Sequence, residues 1–165
     1  MTTSFLKNKK GTSLLEVIVY LAIFSAFSTI IVNSLLISMQ LYKEARTNRE
    51  FAEQGSLVME RISRSVRGAS AVNVASSTLS TSPGVLVLTN GTSTTMFDVN
   101  SGALRLTENG AVSGNLTAGR ISVSSLIFYY YNATSTSVKT DIQLTDNVSG
   151  RSESFSTTNI LRNAY

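Results

Sequence analysis

Residues 9–23 have the sequence KKGTSLLEVIVYLAI, and this stretch joins a short basic leader to a long apolar segment. From residue 17 to residue 42 no side chain is charged. As an α-helix this segment would extend about 39 Å, which exceeds the ~30 Å hydrocarbon core of a bilayer. We therefore expect one helix that is able to cross a membrane.

The leader carries three lysines, Lys7, Lys9 and Lys10, on the N-terminal side of the apolar segment. Because basic residues favour the cytoplasmic side of a membrane, this asymmetry predicts the orientation of the chain. We expect a single-pass protein of the cytoplasmic (inner) membrane, with its N-terminus in the cytoplasm and its C-terminal domain outside.

The helix is expected to continue beyond the apolar segment, because residues 43–67 are rich in good helix formers. Steps of three and four residues place one apolar stripe along this part. The stripe consists of Phe51, Val58, Ile62 and Val66, with Gly55 on the same face. Gly68 supplies a stop signal, so we expect a helix of about 55 residues.

Residues 69–165 differ in character, since about a third of them are Ser or Thr. Short β-rich runs alternate with turn signals, which predicts hairpins. The expected strands cover residues 85–89, 95–99, 103–107, 121–131, 138–145 and 154–162. In the strand at 121–131, Ile121, Val123 and Ser125 alternate with Ser122 and Ser124. We expect an antiparallel sheet packed on the one-sided half of the helix, an α+β fold.

The expected organisation therefore has four parts. A leader occupies residues 1–11, a transmembrane helix 12–42, its amphipathic continuation 43–68 and a Ser/Thr-rich β domain 69–165. The formal net charge of +4 comes mostly from the leader, and the remainder has no continuous basic patch. We therefore expect no direct binding of nucleic acid.

The composition excludes several kinds of chemistry, because the chain has no cysteine and no histidine. It lacks disulfides, a thiolate nucleophile, and the commonest general base and metal ligand. Asp98, Asp141 and Asp146 belong to no recognisable catalytic pattern. We accordingly expect no enzyme activity, no metal and no cofactor.

Glu16 is the one acid inside the apolar segment, and a carboxylate near the bilayer interior costs a few kcal/mol. A cut after Gly11 would supply a partner, the new α-amine of Thr12. That amine lies i,i+4 from Glu16 in the same chain, or it meets Glu16 of a neighbouring subunit and sets the register of a bundle. The simpler alternative places Glu16 at the cytoplasmic interface, where it snorkels to water.

The junction, with its apolar run, resembles the prepilin cleavage and methylation motif of type IV pilins and type II secretion pseudopilins. The resemblance covers roughly the first 35 residues. It implies cleavage after Gly11 by a prepilin peptidase that also methylates Thr12, with Lys9 and Lys10 as leader charge. It also implies that Glu16 serves subunit recruitment. The family usually has Phe at the position of Thr12.

Two further stretches, residues 59–69 and 155–163, resemble the helix end and last strand of J-type minor pseudopilins and minor pilins. The resemblance implies a pilin-like fold and a minor subunit of the initiation or tip complex. The implied partners are prepilin peptidase, other pilin or pseudopilin subunits, the inner-membrane assembly platform, and membrane lipid before assembly. A type IV pilus, a DNA-uptake pilus and a secretion pseudopilus all remain open.

The main alternative is an uncleaved, single-pass surface protein or adhesin. It accounts for the apolar helix and the polar domain, yet it leaves the cost of Glu16 unexplained.

Two smaller features have structural explanations. The run of residues 128–131 could form a contact surface but is expected to alternate between core and surface. The three arginines of the helix end could bind an acidic neighbour but are expected on a solvated face. Those arginines are Arg61, Arg64 and Arg67.

Overall fold

The computed structural model describes residues 13–117, 119–133 and 135–162. A single long helix, α1 (Leu14–Gly68), precedes a series of antiparallel strands. The chain divides into two compact units, Met1–Ala45 and Arg46–Tyr165. An apolar N-terminal helix followed by antiparallel sheets makes the fold α+β, as the sequence predicts.

Helix α1 has 55 residues, the length that the sequence predicts. Its first turn is anchored by the Ser13 carbonyl, which accepts hydrogen bonds from the amides of Glu16 at 2.9 Å and Val17 at 3.2 Å. Its last residue is Gly68, the predicted stop. Three i,i+4 ion pairs support its polar half: Arg46–Glu50, Arg49–Glu53 and Arg64–Glu60.

The strands form two antiparallel sheets. The first sheet has five strands in sequential order, β1 (Ala71–Val72), β2 (Leu86–Asn90), β3 (Ser93–Asn100), β4 (Ala103–Glu108) and β5 (Ala111–Asn115). The second has three strands, β6 (Ile121–Asn132), β7 (Thr136–Asp146) and β8 (Ser152–Ile160). A short 3-10 helix, Val74–Ser76, lies between β1 and β2.

The expected single sheet is therefore divided, and the segment before β2 shows why. The amides of Ser80 and Gly84 donate to the carbonyls of Phe128 and Leu126, each at 2.8 Å. This segment thus occupies hydrogen-bonding positions along β6 that a neighbouring strand would otherwise use. Gly84 suits the close approach, since a Cβ there would lie 3.0 Å from the Leu126 carbonyl oxygen.

A β-bulge interrupts the alternation that the sequence predicts for β6. The register against β7 shifts between Val123 and Ser125, so one extra residue is inserted. The alternation predicts that Ser125 faces the core together with Ile121 and Val123. Because of the bulge, Ser125 does not take this position. Leu126 takes the inward position instead and is fully buried.

The core of the unit Arg46–Tyr165 lies between α1 and the inward faces of the sheets. The predicted stripe is confirmed, because all of its members are buried, and Thr47 joins them. Phe128 is fully buried and Tyr130 packs on the core, whereas Tyr131 is exposed, which confirms the predicted alternation of the aromatic run. The same buried cluster includes the sheet residues Leu86, Phe97, Leu104, Leu126, Phe128, Val138 and Leu144.

Candidate functional site: the exposed helix and Glu16

The first half of α1 exposes its apolar side chains on every side. Every large apolar side chain between Leu14 and Tyr42 is exposed, from 46% at Val19 to 78% at Leu14. Soluble monomers rarely expose a contiguous apolar surface larger than a few hundred Å². Such exposure is typical of a helix that contacts lipid or another chain.

Its length and composition suit a lipid bilayer. An 18-residue window of α1 has a mean hydropathy of 2.2 and contains no buried residue. Among the described residues it is the one helix able to cross a membrane on these criteria. A single-pass membrane anchor near the N-terminus is compatible with these properties.

Glu16 is the only charged residue of this apolar half, and its carboxylate has one partner among the described residues. The hydroxyl of Tyr20, one turn further along, donates a hydrogen bond to Glu16 Oε1 at 2.9 Å. Both side chains are exposed on the helix surface. Sequence reasoning missed Tyr20, although the i,i+4 spacing of an acid and a phenol is a signal that would have found it.

The other residues of the predicted processing site lie outside the described residues. These are Lys9 and Lys10 of the leader, Gly11 at the predicted cut, and Thr12 at the predicted new N-terminus. The structure therefore shows the surroundings of Glu16 only from Ser13 onward. Cleavage and methylation remain predictions.

The acids considered as possible catalytic residues are each engaged within the β domain. Asp98 forms a two-pronged ion pair with Arg105 on the neighbouring strand. Asp141 accepts a hydrogen bond of 2.5 Å from the Ser156 hydroxyl and pairs with Lys139 at 2.9 Å. Both arrangements connect adjacent strands and thereby stabilise the sheets.

Asp146 is fully buried at the end of β7 and is the most strongly held acid. The guanidinium of Arg120 donates to its two oxygens at 3.2 and 2.6 Å. The Ser149 hydroxyl and the Val148 amide add bonds of 2.7 and 3.0 Å. The hydrogen bonds from Arg120 and then Ser149 hold the pKa of Asp146 well below its ordinary value. The cluster fixes the turn that leads into β8.

The three arginines near the end of α1 also bind within the chain. Arg61 pairs with Glu108 of β4 at 2.7 Å, and Arg67 donates to the Asn159 side chain at 3.2 Å. Arg64 pairs with Glu60 one turn earlier on the helix. Arg61 and Arg67 therefore connect the helix to the sheets. The expectation of a solvated face does not include these contacts.

A metal site is not evident in the part of the chain that the structure describes, where no group of three or more acids comes together. Comparison with models of protein families, with curated proteins and with solved structures found no match.

Proposed function

We propose that this chain is a minor pilin or pseudopilin subunit. Prepilin peptidase cuts it after Gly11, and it joins a type IV pilus or a type II secretion pseudopilus through its N-terminal helix. The observation that supports this best is an all-round exposed apolar helix with a single acid, Glu16, near its start.

A helix that is apolar all round suits two successive environments. Before assembly, lipid covers the side chains between Leu14 and Tyr42 as in any transmembrane helix. After assembly, helices of neighbouring subunits cover the same side chains without requiring a new surface. An amphipathic helix would suit only one of these two states.

Glu16 gives the assembled state its specificity. A carboxylate in a nonpolar environment is costly unless it meets an opposite charge. Cleavage after Gly11 provides that charge as the α-amine of Thr12. An intersubunit pair between this amine and Glu16 would fix the axial register of neighbouring helices, as buried polar groups do in other helical bundles.

The β domain serves as the head of the subunit. Its charged side chains are largely engaged in contacts within the unit Arg46–Tyr165, such as Arg120 with Asp146 and Arg61 with Glu108. We propose a structural rather than an enzymatic role for this domain, displayed outside the cytoplasmic membrane. Its partners are the peptidase, other subunits and the inner-membrane assembly platform.

An uncleaved, membrane-anchored surface protein or adhesin is the second candidate. The hydrogen bond from Tyr20 to Glu16 favours it to some degree, because a neutral donor reduces the cost of the acid in lipid. The bond leaves the charge itself without a counter-ion, however, so the subunit hypothesis accounts for more of the sequence.

Co-purification with the other filament subunits, after detergent extraction from the source cell, tests the proposal. Glu16→Ala is expected to be cut normally and to co-purify at least tenfold less, since loss of one charge pair in a nonpolar environment costs about 1.5–3 kcal/mol. Glu44→Ala, which removes an acid beyond the apolar segment, is the matched control and should behave as the natural chain. Unchanged co-purification of the Glu16→Ala chain would contradict the proposal.

A further inference from the structure

We propose that Tyr20 positions the Glu16 carboxylate for pairing between subunits. Its hydroxyl binds Oε1 and leaves Oε2 for the α-amine of a neighbouring subunit. This inference rests on the proposed function and gives Tyr20 a role in the assembly site that the resemblance to the prepilin motif does not assign.

The helix geometry brings these two side chains together. Residues four apart lie on one face, and long helical side chains lean toward the N-terminus. The ring of Tyr20 therefore extends back along α1 toward Glu16, and the hydroxyl reaches Oε1 at 2.9 Å. A hydrogen bond to an ionised acceptor is about twice as strong as one between neutral groups. The bond restricts a side chain that would otherwise sample several rotamers.

The two carboxylate oxygens of Glu16 then bind different donors. A carboxylate offers about four lone-pair sites, and the Tyr20 hydroxyl occupies one of them. Among the described residues no donor binds Oε2, and we assign that oxygen to the ammonium group. A neutral phenol also leaves the net charge of the site unchanged. The Glu16 carboxylate therefore keeps its attraction to the α-amine of a neighbouring subunit while the chain is in the bilayer, before assembly.

Tyr42 provides the comparison within the same chain. It is the other tyrosine of the exposed apolar segment and is similarly exposed, at 73% against 59% for Tyr20. The residue one turn before it is Ser38, which carries no charge. Removing the hydroxyl of Tyr42 therefore tests the loss of a phenol without the loss of an acid's partner.

The experiment compares Tyr20→Phe, Tyr42→Phe and Glu16→Ala by co-purification with the other filament subunits from the source cell. We expect the Tyr20→Phe chain to be cut normally and to co-purify about tenfold less, the effect of one lost bond to a charged group. The Tyr42→Phe chain should match the natural one. Tyr20→p-aminophenylalanine returns a donor to the ring tip and should restore co-purification to within about twofold.

The outcomes separate this inference from the proposed function. If Tyr20→Phe co-purifies normally while Glu16→Ala does not, the inference is overturned and the proposed function stands. If Tyr20→Phe fails and the p-amino variant does not restore it, the hydroxyl acts in some way other than donating a hydrogen bond to Glu16, which also overturns the inference. Normal co-purification of Glu16→Ala overturns the proposed function itself.

Discussion

The ring of Phe155 in β8 lies directly over Gly55 in α1. A Cβ atom built on this glycine would lie 2.3 Å from Phe155 Cζ and 2.5 Å from Cε1, far inside contact distance. Gly55 is buried together with the apolar stripe of the helix. The glycine is therefore required for space at a point where the strand's aromatic side chain meets the helix.

Gly55→Ala is expected to destabilise the β domain by about 1–3 kcal/mol, because a methyl group must displace the Phe155 ring from a packed core. The loss should appear although alanine favours helix formation by about 1 kcal/mol over glycine. Chemical unfolding of the full chain in detergent, followed by circular dichroism, measures it.

Gly68 offers the matched control, since a Cβ there would meet nothing within 4 Å. Gly68→Ala should be neutral or slightly stabilising. Adding Phe155→Leu to the Gly55→Ala chain should recover part of the lost stability by making room. If the Gly55→Ala chain and the natural chain had equal unfolding free energies, the close contact between Gly55 and Phe155 would not limit the stability of the domain.

Two buried threonine hydroxyls of the β domain lack a hydrogen-bond partner among the described residues, those of Thr107 and Thr140. Thr140→Val keeps the shape of the side chain and removes the unsatisfied polar atom. We expect unfolding free energy to rise by about 1 kcal/mol. Thr117→Val should have the opposite effect, since the Thr117 hydroxyl accepts a hydrogen bond from the Leu104 amide at 3.0 Å. A loss of stability in Thr140→Val would contradict this account.

Stability should depend on pH through Asp146, whose pKa is lowered by the bonds from Arg120 and Ser149. A depressed folded-state pKa contributes stability that is complete above the unfolded value, about 4. That contribution is lost as pH falls below about 4 toward the folded value.

Asp146→Asn should therefore flatten the fall in stability below pH 4, measured as unfolding free energy at a series of pH values. Arg120→Gln should lower stability at neutral pH, because it leaves a buried carboxylate without its counter-ion. A pH profile of the Asp146→Asn chain that superimposes on the natural one would argue against this role for the cluster.

The helix was predictable because its signals are local. The charge-free run, the stripe ending at Val66 and the stop at Gly68 all follow from periodicity along a single element. The turns at Asn90-Gly91 and Asn100-Ser101-Gly102 were predictable for a related reason. Gly91 and Gly102 adopt the positive φ values, 61° and 77°, that glycine accommodates at little cost.

The rest depended on contacts between distant parts of the chain. The short edge strand β5, Ala111–Asn115, has Val112 as its one larger apolar residue and therefore carries no apolar alternation. The bulge beside Ser124 depends on the pairing with β7, and the division into two sheets depends on the segment that covers β6. Tyr20 lies in an otherwise apolar run, and its hydroxyl reaches Glu16 because the helix places the two side chains one turn apart.

Replacement at the predicted cut tests the processing step by itself. Gly11→Val should block cleavage, because the resemblance implies a peptidase site that accommodates only a small residue before the scissile bond. Gel mobility and intact mass of the chain from source-cell membranes provide the measurement. Thr3→Val, which places the same residue elsewhere in the leader, should leave cleavage unaffected. A normally shortened Gly11→Val product would refute this prediction.

The most direct test of the filament-subunit hypothesis is the intact mass and N-terminal sequence of the natural chain, purified from the membranes of its source cell. The hypothesis predicts a chain that begins at Thr12, with or without one added methyl group on its α-amine. That result would establish the amine that Glu16 is proposed to meet. A mature chain that still begins at Met1 would contradict the hypothesis and favour an uncleaved surface protein.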